Sequence, residues 1–211
     1  VIKCVVFDVD GTLIDTGEAI ITSLQKVLEE DLGQGYSKDE LDFAFGIPGA
    51  VTLERLGVND IENSAGKWIR YLDDFRDTIS VFEGINNCLM KLKADDIKTG
   101  IVTSKTRKEF ESNFIPMGLA DYFDYVVCAD DTARHKPHPD PILKLLEISG
   151  NNPEDIVYIG DTIYDKECAE GAGVKFGLAL WGAKSVEGIE PAYLLHSPED
   201  ILKIITCPRT I

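Results

Sequence analysis

Two aspartates stand two residues apart where the first apolar run ends, in Asp8-Val9-Asp10-Gly11-Thr12. In extended chain such a pair shares one face while Val9 points the other way. One carboxylate is then placed to attack an electrophilic centre and the other to reach the leaving oxygen, and Gly11 lets the backbone turn sharply away. Comparable residues follow later apolar runs. They are Thr103-Ser104-Lys105, then Asp130 and Asp131 with Lys136 in the His135–Pro139 segment, then Gly160-Asp161-Thr162 with Asp165 beyond. Crowded carboxylates cannot all ionise unless a cation joins them. Oxygen ligands without a Cys or His cluster suit a hard ion such as Mg²⁺, which keeps several waters and accepts a phosphate oxygen. Lys136 and the Thr103 hydroxyl would meet the remaining phosphate oxygens. Phosphoryl transfer, governed by positioning and charge neutralisation, is the chemistry such a set can do.

Elements must bring these residues together. Short apolar, β-branched runs predict strands at Val1–Phe7, Thr99–Val102, Tyr125–Ala129, Ile156–Ile159 and Phe176–Leu180. Helical patterns near Lys105–Met117, Pro139–Ser149 and Tyr164–Ala172 alternate with them, and another helix follows Pro198. That alternation predicts an α/β fold, a Rossmann-like parallel sheet with helices on both faces. In such a sheet ligands bind beyond the carboxyl ends of the strands, where the polar residues above fall.

The first strand departs from the alternation, because a crossover needs only about a dozen residues and roughly 90 separate it from the next. Within that gap the pattern is helical. Asp15-x-x-Glu18 and Ser37-x-x-Glu40 read as capping boxes. Ile20, Leu24, Val27 and Leu28 recur at helical spacing, as do Ile61, Ala65, Trp68, Ile69, Leu72, Phe75 and Ile79. The expected organisation is an all-helical domain over residues 15–80, inserted into a core made of 1–14 and 81–211.

Composition narrows the class of function. The 211 residues have a formal charge of −16, which disfavours nucleic acid or an anionic membrane surface as partner. Five cysteines without a C-x-x-C pattern point to a reducing compartment. No apolar run approaches the ~20 residues of a membrane span, and no secretory signal pattern opens the chain. A cytoplasmic enzyme acting on a small molecule is the expectation.

Taken together, Asp8-Val9-Asp10-Gly11-Thr12, Thr103, Lys136 and Gly160-Asp161 with Asp165, in this order, resemble the four motifs of the haloacid dehalogenase-like hydrolases. The resemblance is to the phosphatase branch with a helical cap after strand one, phosphoglycolate phosphatase-like, and it spans essentially the whole chain. It implies that Asp8 is the nucleophile that forms an aspartyl-phosphate. Asp10 would protonate the leaving group and then activate water. Thr103, Ser104 and Lys136 would hold the phosphoryl group. Asp8, the Asp10 backbone carbonyl, Asp161 and Asp165 would bind Mg²⁺. The implied activity is Mg²⁺-dependent hydrolysis of a small phosphomonoester. A β-phosphoglucomutase-like mutase, a pyrophosphatase and a 5′-nucleotidase use the same scaffold, and a phosphorylated receiver-like signalling domain is the non-enzymatic alternative.

Other residues have plainer readings. Asp165 can cap the helix after the fourth strand. His135 and His138 lack further zinc ligands nearby and read as solvated loop residues. Cys4, Cys88, Cys128 and Trp68 read as core, and Trp181-Gly182 as packing that could border the site. Arg55, after the Gly46-Ile47-Pro48-Gly49 loop, is the expected substrate-selecting cation.

Overall fold

The computed structural model of the chain describes residues 2–206. Val1 and Cys207 lie outside them. The architecture is α/β: six parallel strands form one sheet. Its strands are β1 (Cys4–Phe7), β4 (Lys98–Val102), β5 (Tyr125–Val127), β6 (Ile156–Gly160), β7 (Lys175–Ala179) and β8 (Tyr193–Leu195), ordered β5-β4-β1-β6-β7-β8. Every side chain of β1 and β6 is buried, as expected of strands covered on both faces. Val5 and Phe7 join a cluster with Ile85, Leu89, Leu92, Phe110, Phe114 and Ile201. Cys4 and Val6, on the alternate face, pack with Ile142, Leu145, Cys168 and Ala169. The helices behind these clusters are α5 (Ile85–Ala94), α6 (Arg107–Asn113), α7 (Asp140–Ser149), α8 (Ile163–Gly171) and α9 (Asp200–Thr206).

The chain runs from β1 through β4 to β5 on one side, then returns to build β6, β7 and β8 on the other. The order therefore reverses between β1 and β6, and a crevice opens there beyond the strand ends. Asp8 directly follows β1 and Asp161 directly follows β6. The two aspartates sit at this switch point because the topology leaves them nowhere else.

Four helices, α1 (Gly17–Leu32), α2 (Lys38–Leu41), α3 (Gly49–Arg55) and α4 (Ile61–Asp74), lie between β2 (Ile14–Asp15) and β3 (Ser80–Val81). These two strands pair antiparallel, Ile14 with Val81 and Asp15 with Ser80, so the chain leaves and re-enters the sheet region side by side. Ile21, Leu24, Val27, Leu28, Leu41 and Leu53 form a separate buried cluster among the helices.

Several expectations needed correction. Asp15 is not the N-cap of a box with Glu18: it lies in β2 and α1 starts at Gly17 after Thr16, whose side chain makes no cap bond, although the Asp15 carboxylate accepts the Gly17 N–H at 3.1 Å. Ser37 does form its box with Glu40. The strand read as Tyr125–Ala129 stops at Val127, because Ala129–Asp131 close a 3₁₀ turn whose Asp131 accepts the Cys128 N–H at 2.7 Å. β2, β3 and β8 add to the strands that the sequence predicts, since two or three residues carry no readable period.

Candidate active site

After β1 the chain makes a tight loop, with the Leu13 N–H bonded to Val9 O at 2.9 Å and the Gly11 N–H to Ile14 O at 2.9 Å. Gly11 has φ +77°, and a side chain there would run into the Asp161 carboxylate. Gly182 packs flat against the Gly11 carbonyl, where even a methyl group would overlap it. The Trp181 indole N–H donates to Thr12 O at 2.9 Å. Trp181-Gly182 thus buttresses the loop that carries Asp8 and Asp10, a role its sequence did not disclose.

Asp8, Asp161 and Asp165 are all buried, and one oxygen of each lies within 4.8 Å of those of the other two. Lys136 reaches into this cluster from the loop before α7. Its Nζ stands 3.0 Å from Asp8 Oδ1 and 2.7 Å from Asp165 Oδ1. Tyr158, two residues before the end of β6, joins them: its hydroxyl accepts from Lys136 at 3.2 Å and lies 2.8 Å from Asp165 Oδ1. A buried tyrosine hydroxyl needs a polar partner, and that was the available sign of this residue. The other Asp165 oxygen takes the Thr162 N–H at 3.0 Å and its hydroxyl at 2.6 Å, so Asp165 also closes the capping box of α8. The Thr12 hydroxyl donates to Asp161 at 3.0 Å.

Three ionised carboxylates against one ammonium leave the cluster two negative charges in excess, a mismatch that a divalent cation would remove. The donors are all oxygen, which fits a hard divalent ion. Burial, opposed by Lys136, pushes the Asp8 pKa up to about 7. Burial and the Asp165 and Asp8 charges push Asp161 well above the usual carboxylate range. For Lys136, burial pulls the pKa down, but the Asp165 and Asp8 carboxylates outweigh it and hold the ammonium above its ordinary value.

Asp10 does not share this cluster through its side chain. Its carboxylate is 2.9 Å from Lys105 Nζ and accepts the Thr16 hydroxyl at 2.8 Å. Thr103 is buried at the end of β4, its hydroxyl accepting the Lys105 N–H at 3.2 Å. The Ser104 hydroxyl donates to Gly46 O at 2.9 Å, tying the loop before α3 to the sheet. Asp130 and Asp131 turn to Arg107: Asp130 accepts its N–H at 2.9 Å and Asp131 its guanidinium at 2.7 Å.

Asp8 and Asp10 border a cavity of about 390 Å³ between the sheet end and helices α1, α3 and α4. Trp68 and Ile69 line it, so the α4 stripe read as core is in part a cavity wall. The Trp68 ring is fixed by an indole N–H···Oγ bond to Ser23 at 2.9 Å. Arg55 is exposed at the end of α3 and does not border the cavity. His138 is exposed, but His135 borders the cavity with its Nδ1 buried and unpartnered among the described residues.

The sequence profile of the haloacid dehalogenase-like hydrolases matches residues 5–179. The chain belongs to this family. It is 31% identical over 209 residues to pyrophosphatase PpaX of Bacillus cereus, covering 97% of each chain. A candidate pyrophosphatase PpaX from Caldanaerobacter subterraneus subsp. tengcongensis is 35% identical over 208 residues, 97% of this chain and 94% of that one. In structure, the chain superposes on a candidate phosphoglycolate phosphatase from Lactobacillus plantarum with a TM-score of 0.88 at 29% identity, covering 96% of this chain and 99% of that one. It is therefore a hydrolase of a phosphatase-type family with a buried acidic cluster. The family and the place of Asp8, at the end of the first strand, remove the receiver-domain reading. No described helix is long and apolar enough to cross a membrane.

Proposed function

We propose that the protein is a Mg²⁺-dependent phosphatase that hydrolyses a small phosphomonoester through an aspartyl-phosphate on Asp8. The observation that carries this reading is the Asp8 carboxylate. It is buried beside Lys136 at 3.0 Å, grouped with Asp161 and Asp165, and open to the cavity. Asp8 and Asp161 would hold the metal, with Asp165 behind them and the Asp10 backbone carbonyl beside them. When bound, the ion neutralises charge on the phosphoryl group and on the acidic cluster.

The protein's own residues do the rest. Asp8 attacks phosphorus in line with the ester oxygen, the P–O bond to the leaving group breaks, and Asp10 gives that oxygen its proton. A water, deprotonated by Asp10, then attacks the aspartyl-phosphate and frees Asp8 and inorganic phosphate. Lys136, held by Asp165 and Tyr158, steadies the nucleophile and the transferring group, and Thr103 and Ser104 complete the phosphate contacts. Residues 15–80 act as the cap domain, seated on the core of 1–14 and 81–211 through the Ser104 to Gly46 bond, and exclude water from the first step.

Phosphate release from p-nitrophenyl phosphate, with Mg²⁺ and with chelator, tests the proposal: release that chelator leaves untouched contradicts it. Asp10→Asn should lower kcat/KM, which reads the steps up to leaving-group departure and not the later attack by water, by about 10²–10⁴-fold for alkyl esters and far less for p-nitrophenyl phosphate, whose leaving group needs no proton. Equal losses across leaving groups would refute the acid role. A second reading, pyrophosphate hydrolysis, is favoured by the names of the PpaX relatives and differs only in what the cap admits.

Proton linkage gives a further prediction. Asp8 and Asp161 titrate higher in the folded protein than in the unfolded chain, near 3.8. The folded state thus binds more protons across the window from 3.8 to about 7, and stability in chelator should fall as pH rises through it. Mg²⁺ competes with those protons, so its thermal upshift should be larger at pH 8 than at pH 5. A shift independent of pH would contradict metal binding by these carboxylates.

A further inference from the structure

The cavity over Asp8 is walled on the helical side by Ile20, Ile47, Pro48, Trp68, Ile69 and Leu72. This wall is seated on the sheet: Ser104 bonds the Gly46 carbonyl, and the Gly46 α-carbon packs against the Thr162 side chain. At about 30 Å³ for each water-sized group, 390 Å³ holds roughly a dozen non-hydrogen atoms. A phosphate takes fewer than half of them, so the rest of the space belongs to the leaving group.

The helical wall offers no cation to a second anionic group, and the one imidazole on the lining among the described residues, His135, comes from the opposite side, on the loop before α7. Among the described lysines and arginines, Lys105 alone borders the cavity, and it does so from the loop after β4, with its Nζ 2.9 Å from Asp10, rather than from the helical wall. On the helices, Lys26 pairs with Asp74, Lys38 with Glu18, Lys67 with Asp31 and Arg76 with Asp73, while Arg55 and Arg70 are exposed. Glu109 and Asp130 line the same cavity from the sheet side. A carboxylate or second phosphate placed against this wall would lose hydration without gaining a partner, whereas an apolar group would gain by burial. The Trp68 ring, fixed by its bond to Ser23, borders the same space.

We propose that the substrate is a phosphomonoester of an uncharged, apolar alcohol, alkyl or aryl and of roughly hexyl or benzyl size, rather than pyrophosphate or a phosphorylated hydroxy acid such as phosphoglycolate. The proposal rests on the phosphatase reading and adds the chemical class of the leaving group.

The test is kcat/KM for ethyl, butyl and hexyl phosphate, whose alcohols differ little in acidity, beside phosphoglycolate, pyrophosphate and p-nitrophenyl phosphate, all with Mg²⁺. The expected rise is about four-fold per methylene, with hexyl phosphate above phosphoglycolate and pyrophosphate. Ile69→Ala should flatten the series, and Ile69→Arg should lower hexyl phosphate while raising phosphoglycolate. A flat or falling series in the wild-type protein, or pyrophosphate or phosphoglycolate as the best substrate, overturns the proposal and leaves the phosphatase reading standing. Absence of phosphate release from every compound, p-nitrophenyl phosphate included, removes the phosphatase reading and the proposal with it.

Discussion

Asp8→Asn is expected to lose roughly 10⁴-fold or more in kcat, as removal of a covalent nucleophile does. Asparagine keeps the shape of the side chain, and the cavity, Lys136 and Asp10 stay in place. What disappears is the oxygen pair that can attack phosphorus and then be released. Binding need not suffer: the substitution removes one of three crowded negative charges from the cluster, so a phosphate ester meets less repulsion. A large fall in kcat with KM within a few-fold of wild type is therefore the expected pattern. Turnover within ten-fold of wild type would mean that water attacks phosphorus directly and that Asp8 has only an electrostatic part.

Lys136→Met should destabilise the protein by about 3–5 kcal/mol, the usual penalty for stripping one partner from a buried ion cluster. In a chain of this size that corresponds to a Tm lower by roughly 10 °C or more in chelator. The lysine side chain is only 1% exposed and has carboxylates at 2.7 and 3.0 Å, so no water replaces it easily. Because Asp8 and Asp165 would then face each other unscreened, Mg²⁺ should recover more stability in this variant than in the wild type. Activity should fall as well, since the transferring group loses its fixed cation. A variant as stable as wild type in chelator would show that the cluster is held by packing rather than by charge.

The strand ends were legible in the sequence for a physical reason. Buried parallel strands such as Val5–Phe7 and Ile156–Ile159 must be continuous apolar runs, so the first carboxylate after each is conspicuous. Position in the sheet then groups Asp8 with Asp161. Short-range chemistry was legible too, as in the Ser37 to Glu40 capping box. What failed depended on distant partners. Nothing near Asp15 signals that Ser80 will pair with it and make it a strand residue. The periodicity of Trp68 and Ile69 is that of any packed stripe, and only the placement of α4 opposite Asp8 makes them a cavity wall. Arg55 is suggestive by sequence, yet α3 ends facing solvent. Lys105 stood in plain view after Thr103 and Ser104, but its pairing with Asp10 needs the loop after β1 to lie against the end of β4.

The central claim is that phosphorus passes through Asp8 on its way to water. Its most direct test is the stereochemical course at phosphorus, read with a chiral, isotopically labelled phosphorothioate ester hydrolysed in labelled water. Two successive in-line displacements, first by Asp8 and then by water, predict net retention of configuration. Net inversion would show a single displacement by water and contradict the covalent route.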